Sequence, residues 1–147
     1  MFKHVLVPTD GSPLSVSTAQ RAVTFAVEAG ARITFFHAKP DYPVVFYGEG
    51  ALIDPTTPEK FAEMAERRSR EILGECSAKA EEAGVACDSV SMTSNTPYEA
   101  IIHVAQNAGC DLIFMASHGR RGISGLLLGS ETQKVVTHSR IPVLIYR

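Results

Sequence analysis

The segment His4–Pro13, with the sequence HVLVPTDGSP, decides the fold class. Its first part, His4–Thr9, is a nearly continuous apolar run, which is typical of a strand buried on both faces of a parallel sheet. Ser12 before Pro13 predicts a helix start, because serine caps helix N-termini and proline fits the first helical turn. The segment therefore predicts a strand and a helix joined by a tight turn, with the carboxylate of Asp10 at the junction.

Short β-branched runs alternate with longer helical patterns along the rest of the chain. This alternation predicts an α/β fold, in which a doubly wound parallel sheet has helices on both faces. Right-handed crossover connections leave two common strand orders for such a sheet, 2-1-3-4-5 and 3-2-1-4-5. The four further strands are predicted at Ile33–Ala38, Val85–Met92, Asp111–Ser117 and Pro142–Tyr146.

Helix starts and stops are marked by capping residues, prolines and glycines. Thr96–Glu99 and Ser130–Gln133 have the pattern of capping boxes, in which the first side chain caps the helix. Residues 39–57 have no clear period and predict a long loop, of a kind that is usually functional or mobile. The predicted helices start at Ser12-Pro13, Thr57-Pro58, Thr96-Pro97 and Ser130, and the first three end at Gly30, Gly84 and Gly109.

Length and charge exclude several classes of protein. The 147 residues predict a single domain over residues 1–147. Fourteen Lys and Arg against sixteen Asp and Glu give a net charge of −2, which disfavours nucleic-acid partners. The apolar runs are far shorter than the roughly 20 residues of a membrane span, and the N-terminal run is too short for a signal peptide. We therefore expect a cytoplasmic protein with neither nucleic acid nor membrane as a partner.

Cysteines and histidines give no metal-binding pattern. The cysteines are isolated from one another and are expected to be buried thiols, and the histidines outside the candidate site are expected to be structural. These residues are Cys76, Cys87, Cys110, His4, His37, His103 and His138.

Two unusual segments are expected to meet at one edge of the sheet. In the order 3-2-1-4-5, ligands bind in the crevice between the carboxyl ends of strands one and four. Pro8–Ser12 lies at the first end, and Met115–Gly119 lies at the second, with Gly129-Ser130 opening the last helix. Glycines and a helix N-terminus favour phosphate, whereas the carboxylate of Asp10 suits ribose hydroxyls. The combination indicates a nucleotide.

The same residues resemble the universal stress protein family. The resemblance rests on Val7–Ser12, on Ser117-His118-Gly119 and, nine residues later, on Gly129-Ser130, and it covers nearly the whole chain. It implies the flavodoxin-like strand order 3-2-1-4-5, also described as adenine nucleotide alpha hydrolase-like. It also implies an ATP site with the motif G-x2-G-x9-G-[ST] in the nucleotide-binding branch, and a homodimer through the C-terminal strand.

By this resemblance, Asp10 would bind the ribose and Ala38 would offer backbone groups to adenine. One position departs from the motif, because Ala116 stands at its first glycine. Alanine is harmless there in an extended backbone but weakens binding in a left-handed one. The nucleotide-binding residues implied are Pro8, Thr9, Asp10, Ala38, Met115, Ala116, Gly119, Gly129, Ser130 and Glu131.

The expected function is ATP binding, with or without magnesium, in a nucleotide-dependent sensor or regulator of the stress response that acts on an unidentified protein partner. One alternative is a family member that binds no nucleotide and acts only through protein contacts. Another is a slow ATPase or self-phosphorylating enzyme, and it would be slow because the chain has no G-x-x-x-x-G-K-[ST] loop. A flavodoxin-type electron carrier is disfavoured because the chain has no tryptophan to stack on a flavin.

A hydrolase triad of Asp10, Ser117 and His118 is also disfavoured. Adjacent residues at a strand end are expected to project to opposite sides, and the chain has no G-x-S-x-G turn. Arg120 and Arg121 are expected to be loop residues that face solvent more often than they clamp phosphate.

Overall fold

The computed structural model describes residues 1–43, 57–119 and 127–147. Its strands form a five-stranded, entirely parallel sheet in the order β3-β2-β1-β4-β5, so the predicted fold class is confirmed and the order 3-2-1-4-5 is the correct one of the two. The elements are β1 (His4–Pro8), α1 (Pro13–Ala29), β2 (Arg32–Lys39), α2 (Pro58–Glu82), β3 (Cys87–Thr93), α3 (Pro97–Asn107), β4 (Leu112–Ala116), α4 (Ser130–His138) and β5 (Val143–Tyr146).

Hydrophobic side chains form one core on each face of the sheet. Val7 and Phe35 of the central strands point to the α1 and α2 face, where Leu73 of α2 packs on them. Leu6 and Phe36 point to the opposite face, where they pack with residues of α3 and α4. Because successive residues of a strand alternate between faces, these apolar runs fill both cores. Helices therefore leave β1 and β4 on opposite faces, and a crevice lies between the two strand ends.

The three glycine stops are confirmed. At the end of α2, Gly84 adopts φ +73° and the next backbone N–H, that of Val85, donates to the carbonyl of Ala80 at 2.8 Å. The ends of α1 and α3 have the same geometry at Gly30 and Gly109. Val85 thus belongs to the helix cap, which is why β3 begins at Cys87 and not at Val85 as predicted.

Both predicted capping boxes are wrong. Thr96 is the N-cap of α3 but makes no side-chain cap bond, and its hydroxyl instead donates to Glu99 at 3.3 Å. The backbone N–H of Tyr98 in the first turn of α3 donates to Glu131 of α4 at 2.9 Å. At α4 the N-cap is Gly129, and Ser130 is the first helical residue. A residue from another helix has replaced the local cap at α3, and the cap at α4 is one residue earlier than the pattern indicates.

Candidate functional site

Hydroxyl side chains and an Asx turn hold the loop that follows β1. The backbone N–H of Ser12 donates to Oδ1 of Asp10 at 2.9 Å, and the Ser12 hydroxyl accepts from the N–H of Ser15 as the cap of α1. The buried Thr9 hydroxyl lies 3.1 Å from that of Ser15 and accepts from the N–H of Gly11 at 3.4 Å. The loop is therefore fixed from beneath, which sets the direction of Asp10.

The Thr9 hydroxyl also contacts α2, through a hydrogen bond with the Cys76 thiol. Burial raises the pKa of this thiol, and the hydrogen bond with Thr9 offsets only part of that rise. Cys76 and Cys110 are buried as expected, whereas Cys87 is half-buried. Burial also raises the pKa of Cys110 to about 11, so that this thiol stays protonated at neutral pH.

Backbone contacts and one buried hydroxyl hold the segment that follows β4. The N–H of Gly129 donates to the carbonyl of Ser117 at 2.8 Å, which brings the start of α4 back to the end of β4. A Cβ atom on Gly129 would lie 3.1 Å from Cα of His118, so this approach is close enough to favour glycine. The buried Thr132 hydroxyl donates to the carbonyl of Ala116 at 3.0 Å and ties α4 to the strand.

The two segments touch at Asp10 and Gly119. A Cβ atom on Gly119 would lie 2.5 Å from Oδ2 of Asp10, so the carboxylate rests directly on the glycine. The φ of Gly119 is not positive, and the need for glycine here is therefore one of space and not of backbone conformation. The structure brings the two sequence motifs into contact at the crevice between β1 and β4.

The first turn of α4 begins next to the end of β4 and carries backbone donors. The N–H groups of Ser130, Glu131 and Thr132 have no acceptor within the helix, since the first intrahelical bond runs from Gln133 to Gly129. Within the described residues no hydrogen bond uses these three groups. A helix N-terminus with unused N–H groups attracts anions.

A model of the universal stress protein family matches residues 1–147. The chain belongs to the universal stress protein family. A universal stress protein of Thermus aquaticus is 33% identical over 150 residues, which cover 100% of both chains. The structure of MJ0577 from Methanocaldococcus jannaschii has a TM-score of 0.82 at 23% identity, with 99% of this chain and 95% of that chain covered. A universal stress protein solved in complex with cAMP has a TM-score of 0.70 at 26% identity, with 99% and 97% covered.

Ala116, the departure from the motif in this universal stress protein, lies in extended backbone. It is the last residue of β4, and no residue other than glycine has a positive φ within the described ranges. The left-handed conformation that an alanine would resist is therefore not required, and the structure gives the harmless case of the two considered from the sequence.

The remaining predicted site residues differ in how deeply they are buried. Pro8 and Ala38 are half-buried at the ends of β1 and β2. Met115 is buried in the core shared with α3 and α4, and the Thr9 side chain is buried beneath the loop. Ser130 is exposed, whereas the carboxylate of Glu131 is occupied by the N–H of Tyr98. The N–H of Thr9 also donates to the carbonyl of Phe36 at 2.8 Å, whereas the N–H of Glu131 has no acceptor among the described residues.

The expectation that Ser117 and His118 diverge is wrong. β4 ends at Ala116, and beyond it the Ser117 hydroxyl lies 3.2 Å from Nδ1 of His118. The alternation of side chains that holds within a strand no longer applies there. Ser117 is buried, and the bond joins it to its own neighbour in sequence.

Sequence reasoning missed that α2 packs on the loop after β1. Gly11 has φ +77°, and a Cβ atom on it would lie 2.9 Å from Cδ1 of Ile72 and 3.0 Å from Nη2 of Arg68. α2 therefore lies directly on the loop that carries Asp10. The sequence offered one signal, since Arg68 and Ile72 are four residues apart and share a helix face.

A cavity of about 710 Å³ lies farther out, between the first half of α2 and the ends of β2 and β3. Lys39 and Glu66 form an ion pair on its wall at 2.6 Å, and the hydrogen bond and charge of Lys39 lower the pKa of Glu66. The residues lining this cavity do not include Asp10 or Gly119, so it is separate from the crevice.

Some expectations fall on residues that the structure does not describe. Arg120 and Arg121 lie outside the described residues, as does the 44–56 part of the 39–57 loop. Within residues 1–43, 57–119 and 127–147, no cluster of His, Cys, Asp and Glu could hold a metal ion. The helices of those ranges include none that is both long and apolar enough to cross a membrane.

Proposed function

We propose that this universal stress protein is a cytoplasmic ATP-binding regulator with one domain over residues 1–147. Nucleotide binding between β1 and β4 would change its action on a protein partner. The observation that carries the proposal is the contact between Asp10 and Gly119, because it joins a carboxylate to a glycine-bearing turn at the switch point of the sheet.

The two sides of this crevice suit different parts of a nucleotide. The carboxylate of Asp10 is an acceptor for ribose hydroxyls, and hydrogen bonds to a charged acceptor contribute about 1.5–3 kcal/mol each. The N–H groups at the first turn of α4 suit phosphate oxygens. Magnesium would enter with the phosphates, since the described residues supply no acidic cluster for it.

Solved relatives support an adenine nucleotide as the ligand. The relative at 26% identity was solved in complex with cAMP. Two others were solved with dAMP, from Archaeoglobus fulgidus, and with AMP, from Arabidopsis thaliana. At 16% and 21% identity those two share the fold with this chain, and their ligands are properties of those proteins.

ATP titration calorimetry tests the proposal, together with anion-exchange analysis of any nucleotide released on denaturing the purified protein. Asp10→Ala is expected to weaken ATP binding about tenfold or more, equivalent to about 1.4 kcal/mol from a lost charged hydrogen bond. Asp10→Asn is the sharper variant, because its amide oxygen can still accept from Ser12 while the negative charge is gone.

Equal losses in the two variants would assign the effect to the charge. A loss in Asp10→Ala alone would assign it to the turn. Absence of both co-purified nucleotide and binding heat in the wild type would contradict the proposal and favour a family member that acts only through protein contacts. Phosphate release measured with magnesium would separate a slow ATPase from a regulator that only binds.

We further propose a homodimer through β5. Carbonyls of Pro142 and Tyr146 accept bonds from β4, so the backbone groups of the alternate residues Val143 and Ile145 point to the open edge. An apolar edge strand is seldom left uncovered, and pairing with a second copy would cover it.

Light scattering at micromolar concentration should give twice the 15.9 kDa mass of the chain. Ile145→Pro removes an edge-facing N–H while leaving the bonds to β4, and it should give the monomer. Ile145→Val keeps that N–H and should remain dimeric. A wild-type protein of 15.9 kDa would rule the dimer out.

A further inference from the structure

Three close contacts at glycines give the order of the groups along the carboxyl edge of the sheet. Gly129, at the start of α4, lies against His118, and the next residue, Gly119, lies against Asp10. Gly11, the neighbour of Asp10, lies against Arg68 and Ile72 of α2. The order is therefore α4, the turn after β4, Asp10 and then α2.

A nucleotide bound as proposed above has one orientation along this row. Its phosphates would lie at the N-H groups of α4 and its ribose at Asp10, so its base would point toward α2. The groups of α2 nearest to Gly11 are the buried Ile72 and the side chain of Arg68, which is 48% exposed.

Arg68 is weakly engaged where it lies. Within the described part of the chain its polar partner is Glu71, one helical turn away, at 3.5 Å with both side chains about half exposed. Such pairs contribute little to stability. Its other terminal nitrogen, Nη2, is the atom that lies against Gly11. A guanidinium group is planar and stacks on aromatic rings, which suits a purine base.

We infer that Arg68 contacts the base of the bound nucleotide and sets the affinity of the site for it. The inference rests on the proposed function, since it takes the phosphate and ribose positions from that proposal. It adds a residue of α2 to a site that the sequence motifs confine to the strand ends and α4.

The test is calorimetric titration of the full chain with ATP and with adenosine, which has the base and ribose but no phosphate. Arg68→Met keeps the length of the side chain and removes its charge and plane. We expect this variant to weaken the binding of ATP and of adenosine by the same factor, about fivefold. Arg67→Met is the matched control, because Arg67 is an exposed neighbour on the same helix, and the atoms nearest to Gly11 belong to Ile72 and Arg68.

Every outcome of this test is decisive. Weaker ATP binding with unchanged adenosine binding would place Arg68 at the phosphates and overturn the inference. Equal binding by Arg68→Met and wild type, or equal losses in the Arg67 and Arg68 variants, would also overturn it while leaving the proposed function intact. Absence of binding in the wild type would remove the proposed function and this inference together. Urea unfolding should be unchanged in both variants, since each side chain is exposed to solvent.

Discussion

The loop after β1 and the segment after β4 lie against each other but are held by different groups. Side-chain hydroxyls of Thr9, Ser12 and Ser15 hold the first from below, and all three residues are buried. The second is held chiefly by a backbone bond, from the N–H of Gly129 to the carbonyl of Ser117, and by one buried hydroxyl, that of Thr132, which donates to the backbone carbonyl of Ala116.

This difference matches what each segment would do. Hydrogen bonds to a carboxylate depend on its orientation, so several buried hydrogen bonds that fix the loop help to orient the carboxylate. Phosphate would be bound by N–H groups, which can bind it only where no protein acceptor already occupies them. Bonds position both halves of the site, but in the second half three N–H groups at the start of α4 also have no acceptor among the described residues.

Gly11→Ala, in the loop after β1, should have the largest effect of the variants proposed here. A side chain at φ +77° costs about 1–2 kcal/mol, and its Cβ atom would press on Ile72 and Arg68, which adds about 1–3 kcal/mol of overpacking. We expect a loss of about 3 kcal/mol in the free energy of unfolding in urea. Gly30→Ala is the matched control, with φ +64° and nothing within 4 Å, and should lose about 1 kcal/mol. Equal losses would mean that α2 does not press on the loop.

Thr9→Val tests the buried hydroxyl group itself. It removes the bond between the Thr9 and Ser15 hydroxyls and the acceptor of the half-buried N–H of Gly11, while the Ser15 hydroxyl still donates to the carbonyl of Ser12 at 3.0 Å. The loss should cost about 1–2 kcal/mol in urea unfolding. Thr24→Val is the control, because the Thr24 hydroxyl bonds at 3.3 Å to the carbonyl of Gln20 on the exposed side of α1. A Thr9→Val protein as stable as the Thr24→Val protein would show that the hydroxyls do not hold the loop.

Much of the fold could be predicted because local patterns and tertiary structure agree. The apolar run of β1 and the glycine stops at Gly30, Gly84 and Gly109 act over a few residues, and each was found where expected. Periodicity does not specify which strands pair, so the sequence left two strand orders open. The order 3-2-1-4-5 came from the family resemblance.

One error occurred because a distant residue replaced a local partner. Thr96 and Glu99 have the sequence of a capping box, but Glu131 supplies the acceptor for α3 from another helix. The meeting of the two motifs at the crevice could be predicted from topology. The contact of Arg68 with Gly11 could not, because it depends on how far α2 extends along the sheet.

Gly119→Ala tests the point where the loop after β1 and the segment after β4 touch. The added Cβ atom would lie 2.5 Å from Oδ2 of Asp10 and must displace the carboxylate. ATP affinity measured by calorimetry should fall about tenfold, or about 1.4 kcal/mol. The double variant with Asp10→Ala should lose no more than Asp10→Ala alone, since both remove the same interaction. Additive losses would mean that Gly119 acts on the ligand independently of Asp10.

Glu131→Ala carries the smallest expected effect and tests whether the second half is tied to α3. Its carboxylate accepts from the N–H of Tyr98, so its loss should cost about 1 kcal/mol in urea unfolding, as for other helix caps. Glu99→Ala is the control, because Glu99 is the residue that the capping-box pattern marks and its side chain is exposed. We expect that variant to lose less than about 0.5 kcal/mol. A larger loss in Glu99→Ala than in Glu131→Ala would mean that the local residue Glu99 caps α3 and that Glu131 of α4 does not. The expected ranking would mean that α4, the helix proposed to bind phosphate, also caps the start of α3.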